Sequence, residues 1–358
     1  MTRKTEDVDK KYILYGAGDW GIRMLHVLGT EKVMAFVDAN KAGTSICGKP
    51  VISPEQLINY KDLYQVILSV YDADALDAIE RKLWDMNMQF ILAENYVSDI
   101  ELDKLSDLPA EQQKFPETKY MLQIRQALML PYPSCQGYMP NEVQGGFDTY
   151  VGLNYCWHNG RKLYMPSRYG RRQCQKIMSI LQAEQDPQSP HRYFDCMHRF
   201  SMEEVFIDVG AAEGMISLDL VDKATEVVLY EGDEMWAAPL YATFAPWQDK
   251  VSLITECVGA SSRVGWTTLD ERFANDSRPI FIKVDIEGGE EEFLQGAKLT
   301  LTHGNVRMSI CCYHDENRPE QMRQFLENLG YKTRYSQGWV YLHGQFRKGV
   351  IYAEKAKE

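Results

Sequence analysis

Residues 205–214 read Val-Phe-Ile-Asp-Val-Gly-Ala-Ala-Glu-Gly (VFIDVGAAEG). An apolar run that closes on an acid, Asp208, and then passes Gly210 and Gly214 predicts a buried strand, a tight turn and a helix start. Glycine at such a turn lets backbone approach a ligand with no Cβ in the way. The next apolar run, 226–231, ends on Glu231, an acid about 20 residues beyond the turn, where a ribose diol would be held. Further strands are expected at 251–258, 281–287, 306–314, 331–336 and 339–344, with helical segments after the first five strands. The last two are separated by Gln337-Gly338 and should pair antiparallel. The expectation is a seven-stranded, Rossmann-like, doubly wound α/β sheet with a terminal antiparallel hairpin, over 201–358. Its ligand should lie beyond the carboxyl ends of the parallel strands.

A second strand–helix alternation runs from 11 to 96. It opens with Tyr15-Gly16-Ala17-Gly18-Asp19-Trp20-Gly21, in which Gly16, Gly18 and Gly21 make a GxGxxG turn, and Asp38 ends the next strand. Residues 1–96 are therefore expected to form a smaller Rossmann-like α/β domain of the nucleotide-binding type. Residues 97–200 read as a linker of helices broken by prolines, then a hairpin whose turn is Asn159-Gly160, then an amphipathic helix.

The bulk composition narrows the class. Hydrophobic residues at 45 % and charged residues at 25 % are ordinary for a folded globular chain. A net charge of −12 argues against a nucleic-acid partner, which needs a basic stripe. No apolar run reaches the length of a membrane span, and the charged start lacks a signal-peptide core, so a cytoplasmic location is expected. The eight cysteines show no paired CxxC spacing and read as reduced, mostly buried thiols.

Charge separates two ligand classes that share a ribose. A dinucleotide brings an anionic pyrophosphate; S-adenosylmethionine brings a sulfonium and an ammonium against one carboxylate. Asp208, Glu213, Glu231, Asp233, Asp285 and Glu287 crowd the predicted strand ends. So many acids repel a pyrophosphate and suit a cation. Some acids have a simpler reading: Glu213, Asp233 and Glu287 also sit where helix caps are common.

The C-terminal half resembles the FkbM family of methyltransferases. The resemblance is carried by FIDVGAAEG, the acid in LYEGD, TTLDERF followed by FIKVDIEGGEEEFLQGA, and the Tyr313-His314 pair that ends SICCYH. It spans roughly residues 164–342 and includes EQDPQSPHRY upstream of the first strand. It implies a class I methyltransferase fold, S-adenosylmethionine as methyl donor, and transfer to an oxygen, often a sugar hydroxyl. On this reading Asp208, Gly210, Ala211, Glu213, Gly214 and Glu231 bind the cofactor. Asp285 and His314 are the catalytic candidates, since a hydroxyl is a poor nucleophile that needs a base or a metal. His191, Arg192, Tyr193 and Glu287 are expected to face the acceptor. His314 also has a purely structural reading as a hydrogen-bonded histidine. A divalent metal on Asp285 and a neighbouring acid is an alternative; the expectation is no metal.

The N-terminal segment, about 11–95, resembles the sugar-nucleotide-binding domain of PglD-type acetyltransferases, which implies recognition of a nucleotide-linked sugar without redox chemistry. The leading expectation is an O-methyltransferase acting on a sugar or glycoconjugate precursor. Its partners are a small-molecule or glycan acceptor, with no nucleic acid and no membrane, and a homodimer is left open. The rival readings are an NAD(P)-dependent oxidoreductase using Gly16, Gly18, Gly21 and Asp38, and a non-catalytic nucleotide-sugar-binding protein.

Overall fold

The computed structural model describes residues 10–303, 305–314 and 319–355. They fall into two compact units. The first runs to Asp107 and takes in Ile124–Ala127; the second holds Leu108–Gln123 and the described residues from Leu128 on. The stretch expected as a linker is thus divided between the units.

The first unit is built on one sheet. Its strands are β1 (Tyr12–Tyr15), β2 (Val33–Val37), β3 (Ser45–Ile46), β4 (Lys49–Ile52), β5 (Gln65–Leu68) and β6 (Phe90–Leu92), in the order β3-β4-β2-β1-β5-β6. All pairings are parallel except the short edge β3–β4. Alternation sorts the side chains of β1 onto two faces. Leu14 packs with Met24 and Leu25 of the helix Asp19–Leu28, whereas Ile13 and Tyr15 pack with Leu57 and Leu83.

In the second unit, β7 (Gly145–Asp148), β8 (Leu153–His158) and β9 (Arg161–Tyr164) form an antiparallel sheet. Asn159 and Gly160 both have positive φ, 49° and 78°, and close the two-residue turn read from the sequence. The helix Arg171–Glu184 follows.

The main sheet comprises β10 (Val205–Val209), β11 (Glu226–Tyr230), β12 (Val251–Ile254), β15 (Pro279–Val284), β16 (Asn305–Cys311), β17 (Tyr331–Tyr335) and β20 (Val350–Lys355). Two side pairs accompany it: β13 (Cys257–Val258) with β14 (Trp266–Thr267), and β18 (Val340–Leu342) with β19 (Gln345–Arg347). The order is β12-β11-β10-β15-β16-β20-β17, parallel through β16 and antiparallel on both sides of β20. The sheet is doubly wound. Val205, Ile207 and Val209 enter one core with Phe293 and Leu326, and Phe206 enters the other with Leu218 and Leu240.

Two strand assignments differ from expectation. The seventh strand is 350–355, inserted between β16 and β17. The 339–344 run leaves the sheet and pairs with β19 through a second two-residue turn, His343-Gly344, both at positive φ. That turn releases the apolar run into a local hairpin, and the fully buried Val350–Ala353 takes the sheet position. The 251–258 run likewise breaks, and Cys257–Val258 turns off to pair with β14.

Candidate active site

The tips of β10 and β15 lie side by side, and the turn after β10 is pressed against the chain after β15. Gly210 has φ 76°, and a Cβ there would sit 1.9 Å from the carbonyl oxygen of Asp285. No other residue fits that contact. Beneath the turn lies Lys283, 5 % exposed, which the sequence reading overlooked. Its Nζ donates to the Gly210 carbonyl at 2.5 Å and stands 2.9 Å from Oδ1 of Asp208, whose other oxygen accepts from Ser217 Oγ at 2.7 Å. Burial works against the ammonium, but Asp208 and Asp285 outweigh it and hold Lys283 above its usual pKa. The Asp208 carboxylate, 1 % exposed, therefore faces inward and fixes the turn. The signal was present: a lysine inside an apolar strand, two residues before an acid, must be paired when buried.

Glu231, at the end of β11, accepts from the backbone N–H of Ala212 at 2.8 Å and of Asp233 at 2.7 Å, so both oxygens are aimed while each retains a free lone pair. Asp233 caps the short helix Glu234–Trp236 by accepting from Met235 N at 3.0 Å. Ala211 N–H bonds the Tyr230 carbonyl, and Gly214, at φ 74°, starts the helix Met215–Leu220. Burial pushes the Glu213 carboxyl up to about 7, with Glu231 and Asp285 adding to the rise. Glu184, at the end of its helix, is pushed to about 8 by burial, then by Asp285 and Glu213. This acid was not singled out in the sequence. A crevice that desolvates two carboxyls and orients a third suits a cationic ligand.

Asp285 follows directly on β15. Its Oδ2 accepts from Tyr193 OH at 2.6 Å, and His191 Nε2 lies 3.6 Å away while bonding Tyr313 OH at 3.0 Å. Burial alone would raise the Asp285 carboxyl, but His191, Lys283 and His314 together with the Tyr193 hydroxyl hold it below the usual range. Burial pushes His191 down to about 4, so the pair is an ionised carboxylate beside a neutral imidazole. His314 completes the group. Its Nδ1 bonds Oε1 of Glu290 at 2.9 Å, and its Nε2 is 3.5 Å from Asp285 Oδ1 and 3.6 Å from Glu287 Oε2. Burial opposes its protonation, but the Glu290 hydrogen bond and the Asp285 charge raise its pKa.

The structure thus brings His191, Tyr193, Asp285, Glu287 and His314 together. Glu287 does so from beyond the strand in which it was expected: β15 stops at Val284, and Glu287 sits at φ 55° with its side chain exposed. Arg192 goes elsewhere. Its carbonyl accepts from Tyr352 OH, and its charge joins the hydrogen bonds that hold Asp186 ionised against burial. Glu290 was legible only as part of a motif, and its role as the partner of His314 was not.

In the first unit, Gly16 N–H bonds the Val37 carbonyl, and a Cβ on Gly21 would lie 2.0 Å from the Gly16 oxygen. Gly18 precedes the helix Asp19–Leu28 with open space around it. Both Asp38 oxygens are engaged by backbone N–H groups, of Asn40 and Lys41 on one and Ala17 on the other, and Lys41 Nζ bonds the Ala17 carbonyl. The GxGxxG turn is formed, with its acid tying the loop shut.

The methyltransferase FkbM domain model matches residues 208–333. No curated protein matches the chain. Among solved structures, it is similar to the methyltransferase FkbM from Methylobacillus flagellatus KT, at 16 % identity and TM-score 0.44 over 96 % of this chain and 90 % of that one. It is also similar to the precorrin-6y C5,15-methyltransferase of Geobacter metallireducens GS-15, at 15 % identity and TM-score 0.32, covering 44 % of this chain and 84 % of that one. A third is the magnesium protoporphyrin IX methyltransferase of Synechocystis PCC 6803 with bound SAM, at 13 % identity and TM-score 0.31, covering 43 % and 72 %. These likenesses are distant, and the family match over the strand tips that carry the acids bears the weight. Residues 208–333 thus match the FkbM methyltransferase domain, a domain of S-adenosylmethionine-dependent methyltransferases.

Proposed function

We propose that the chain methylates a hydroxyl oxygen of a sugar or glycoconjugate precursor, with Glu231, Glu213 and the turn 210–214 holding the donor and the Asp285–His314 pair activating the acceptor. The observation that carries the reading is the juxtaposition, across the β10–β15 switch point, of a carboxyl-lined crevice with an ionised Asp285 whose second oxygen is not hydrogen-bonded. S-adenosylmethionine supplies a methyl group on a sulfonium, a good leaving group. A donor held here would release its methyl to the hydroxyl oxygen and leave as a neutral thioether, with Asp285 and His314 set to take up the hydroxyl proton and pass it to solvent. The protein's part is to orient and to polarise. The glycine turn is locked by Lys283, Glu231 is aimed by two backbone donors, and Asp285 is held by Tyr193, so little reorganisation accompanies reaction. The family match supports the methyl transfer, and the resemblance of the 164–342 stretch supports an oxygen acceptor of the sugar class.

The test is to incubate the full chain with methyl-labelled S-adenosylmethionine and a panel of sugar nucleotides and free glycosides. Label appearing as an alkali-stable ether on a sugar is the expected outcome. Label transferred only to a nitrogen or carbon acceptor would remove the hydroxyl assignment while leaving the enzyme class intact.

A further inference from the structure

We infer that Asp285, His314 and Glu287 form a divalent-cation site, of the kind that takes Mn²⁺ or a similar first-row ion, at the place where the acceptor hydroxyl is activated. The first observation is a pair of stranded atoms. Asp285 Oδ1 and His314 Nε2 are both buried without a hydrogen-bond partner, and the His314 side chain is only 10 % exposed. They face each other at 3.5 Å, too far for a good hydrogen bond and the spacing at which a bridging species is to be sought. Glu287 Oε2 approaches the same nitrogen at 3.6 Å from the exposed side. Ligand atoms about 2.1 Å from a first-row ion stand roughly 3.0 Å apart at right angles and roughly 3.4 Å apart in tetrahedral array, so the Asp285–His314 and His314–Glu287 spacings lie at the wide end of what one ion spans.

The second observation is the orientation of the imidazole. Glu290, 3 % exposed, accepts at 2.9 Å from Nδ1, which fixes the tautomer with the Nε2 lone pair turned toward Asp285. A carboxylate on the far ring nitrogen is the habitual support of a metal-bound histidine. Glu290 is itself held by the backbone N–H groups of Ile286 and Gly288, so the support is rigid. Asp285, His314 and the supporting Glu290 form one cluster whose ligand-capable atoms all lie within 4.8 Å of one another, and Glu287 adds a carboxylate from its exposed side. One imidazole and two carboxylates form a mixed nitrogen–oxygen set that suits first-row divalent ions and leaves positions open for water and an alcohol oxygen. An alcohol bound there loses its proton more readily, which supplies the activation a sugar hydroxyl lacks. That last step rests on the O-methyltransferase reading; binding of the ion does not.

The experiment titrates MnCl₂ into chelator-stripped, full-length protein by calorimetry, with the Mn²⁺ electron paramagnetic resonance spectrum followed in parallel. S-adenosylhomocysteine is titrated into the same samples. One Mn²⁺ per chain is expected, with at least a 10-fold loss of affinity in His314→Ala, a 10- to 100-fold loss in Glu290→Gln, and a smaller loss in the exposed Glu287→Gln, which leaves the fold untouched. Absence of binding to the wild-type chain overturns the inference, and so does binding unaltered in both His314→Ala and Glu287→Gln. If S-adenosylhomocysteine binds while Mn²⁺ does not, the ion site alone falls. If Mn²⁺ binds while S-adenosylhomocysteine does not, the ion site stands and the donor assignment falls.

Discussion

Lys283 decides the electrostatics at the tip of β10, and it was hidden in the sequence because an apolar strand conceals its one charge. Read as a list, the acids at 208, 213, 231, 285 and 287 suggested a uniformly negative crevice. In the fold, the first of them is neutralised by a lysine whose side chain is 7 % exposed, and the negative character moves outward to Glu213, Glu231 and Asp285. Replacing Lys283 by Met leaves Asp208 buried and uncompensated and should cost about 3–5 kcal/mol in chemical denaturation. The double change Asp208→Asn with Lys283→Met should recover part of that loss, because it removes the stranded charge. Glu231→Ala should weaken S-adenosylhomocysteine about 10- to 100-fold in calorimetry, as expected when a charged acceptor is lost. Asp285→Asn should abolish turnover with a much smaller change in that affinity. Unchanged affinity in the Glu231 variant would take it out of the donor site. The residues on strand tips were legible because position along a parallel strand predicts which end meets ligand. Glu184 and Glu290 were not, because their approach to the site depends on helix packing that no local pattern encodes.

At the level of elements, the five parallel strands of the second unit announce themselves by apolar runs that end in acids, and their order follows from the switch point. The antiparallel part was harder to read. Trp339–Gly344 is as apolar as a core strand, yet the His343-Gly344 turn folds it onto β19, and β20 takes its place in the sheet. The two arrangements rank mutations oppositely. Ile351, fully buried between β16 and β17, should cost about 2–5 kcal/mol when cut to Ala. Leu342, only half-buried in the side hairpin, should cost less in the same urea titration. A reversed ranking would return 339–344 to the main sheet. The Asn159-Gly160 hairpin, by contrast, was readable from two residues, because a turn with both φ values positive admits few others.

For the molecule as a whole, the raised carboxyls make stability and donor binding respond to pH in opposite senses. Glu213 and Glu184 titrate near 7 and 8 in the fold, against roughly 4.3 in an unfolded chain. Between those values the native state holds more protons than the unfolded one, so stability falls as pH rises through the window. The melting temperature of the ligand-free protein should therefore drop from pH 6 to 8, while the upward shift produced by S-adenosylmethionine grows as the carboxyls ionise. Glu184→Gln with Glu213→Gln should flatten both trends, and a pH-independent shift in the parent would show that neither acid meets the donor. NAD, tested alongside, should leave the melting temperature unchanged. The repeated glycine turns are what pointed to two α/β units in the sequence. The boundary was not legible there, since 97–200 contributes a helix to one unit and a sheet and two helices to the other. The placement of β20 carries a consequence for biosynthesis. Of the strands in this sheet, the one made latest is the one that joins β16 to β17, so a nascent chain halted before Val350 presents two bare strand edges that want the same partner. On the ribosome the second unit is thus an open template until translation has passed that strand, and its dependence on chaperones should be concentrated in that interval.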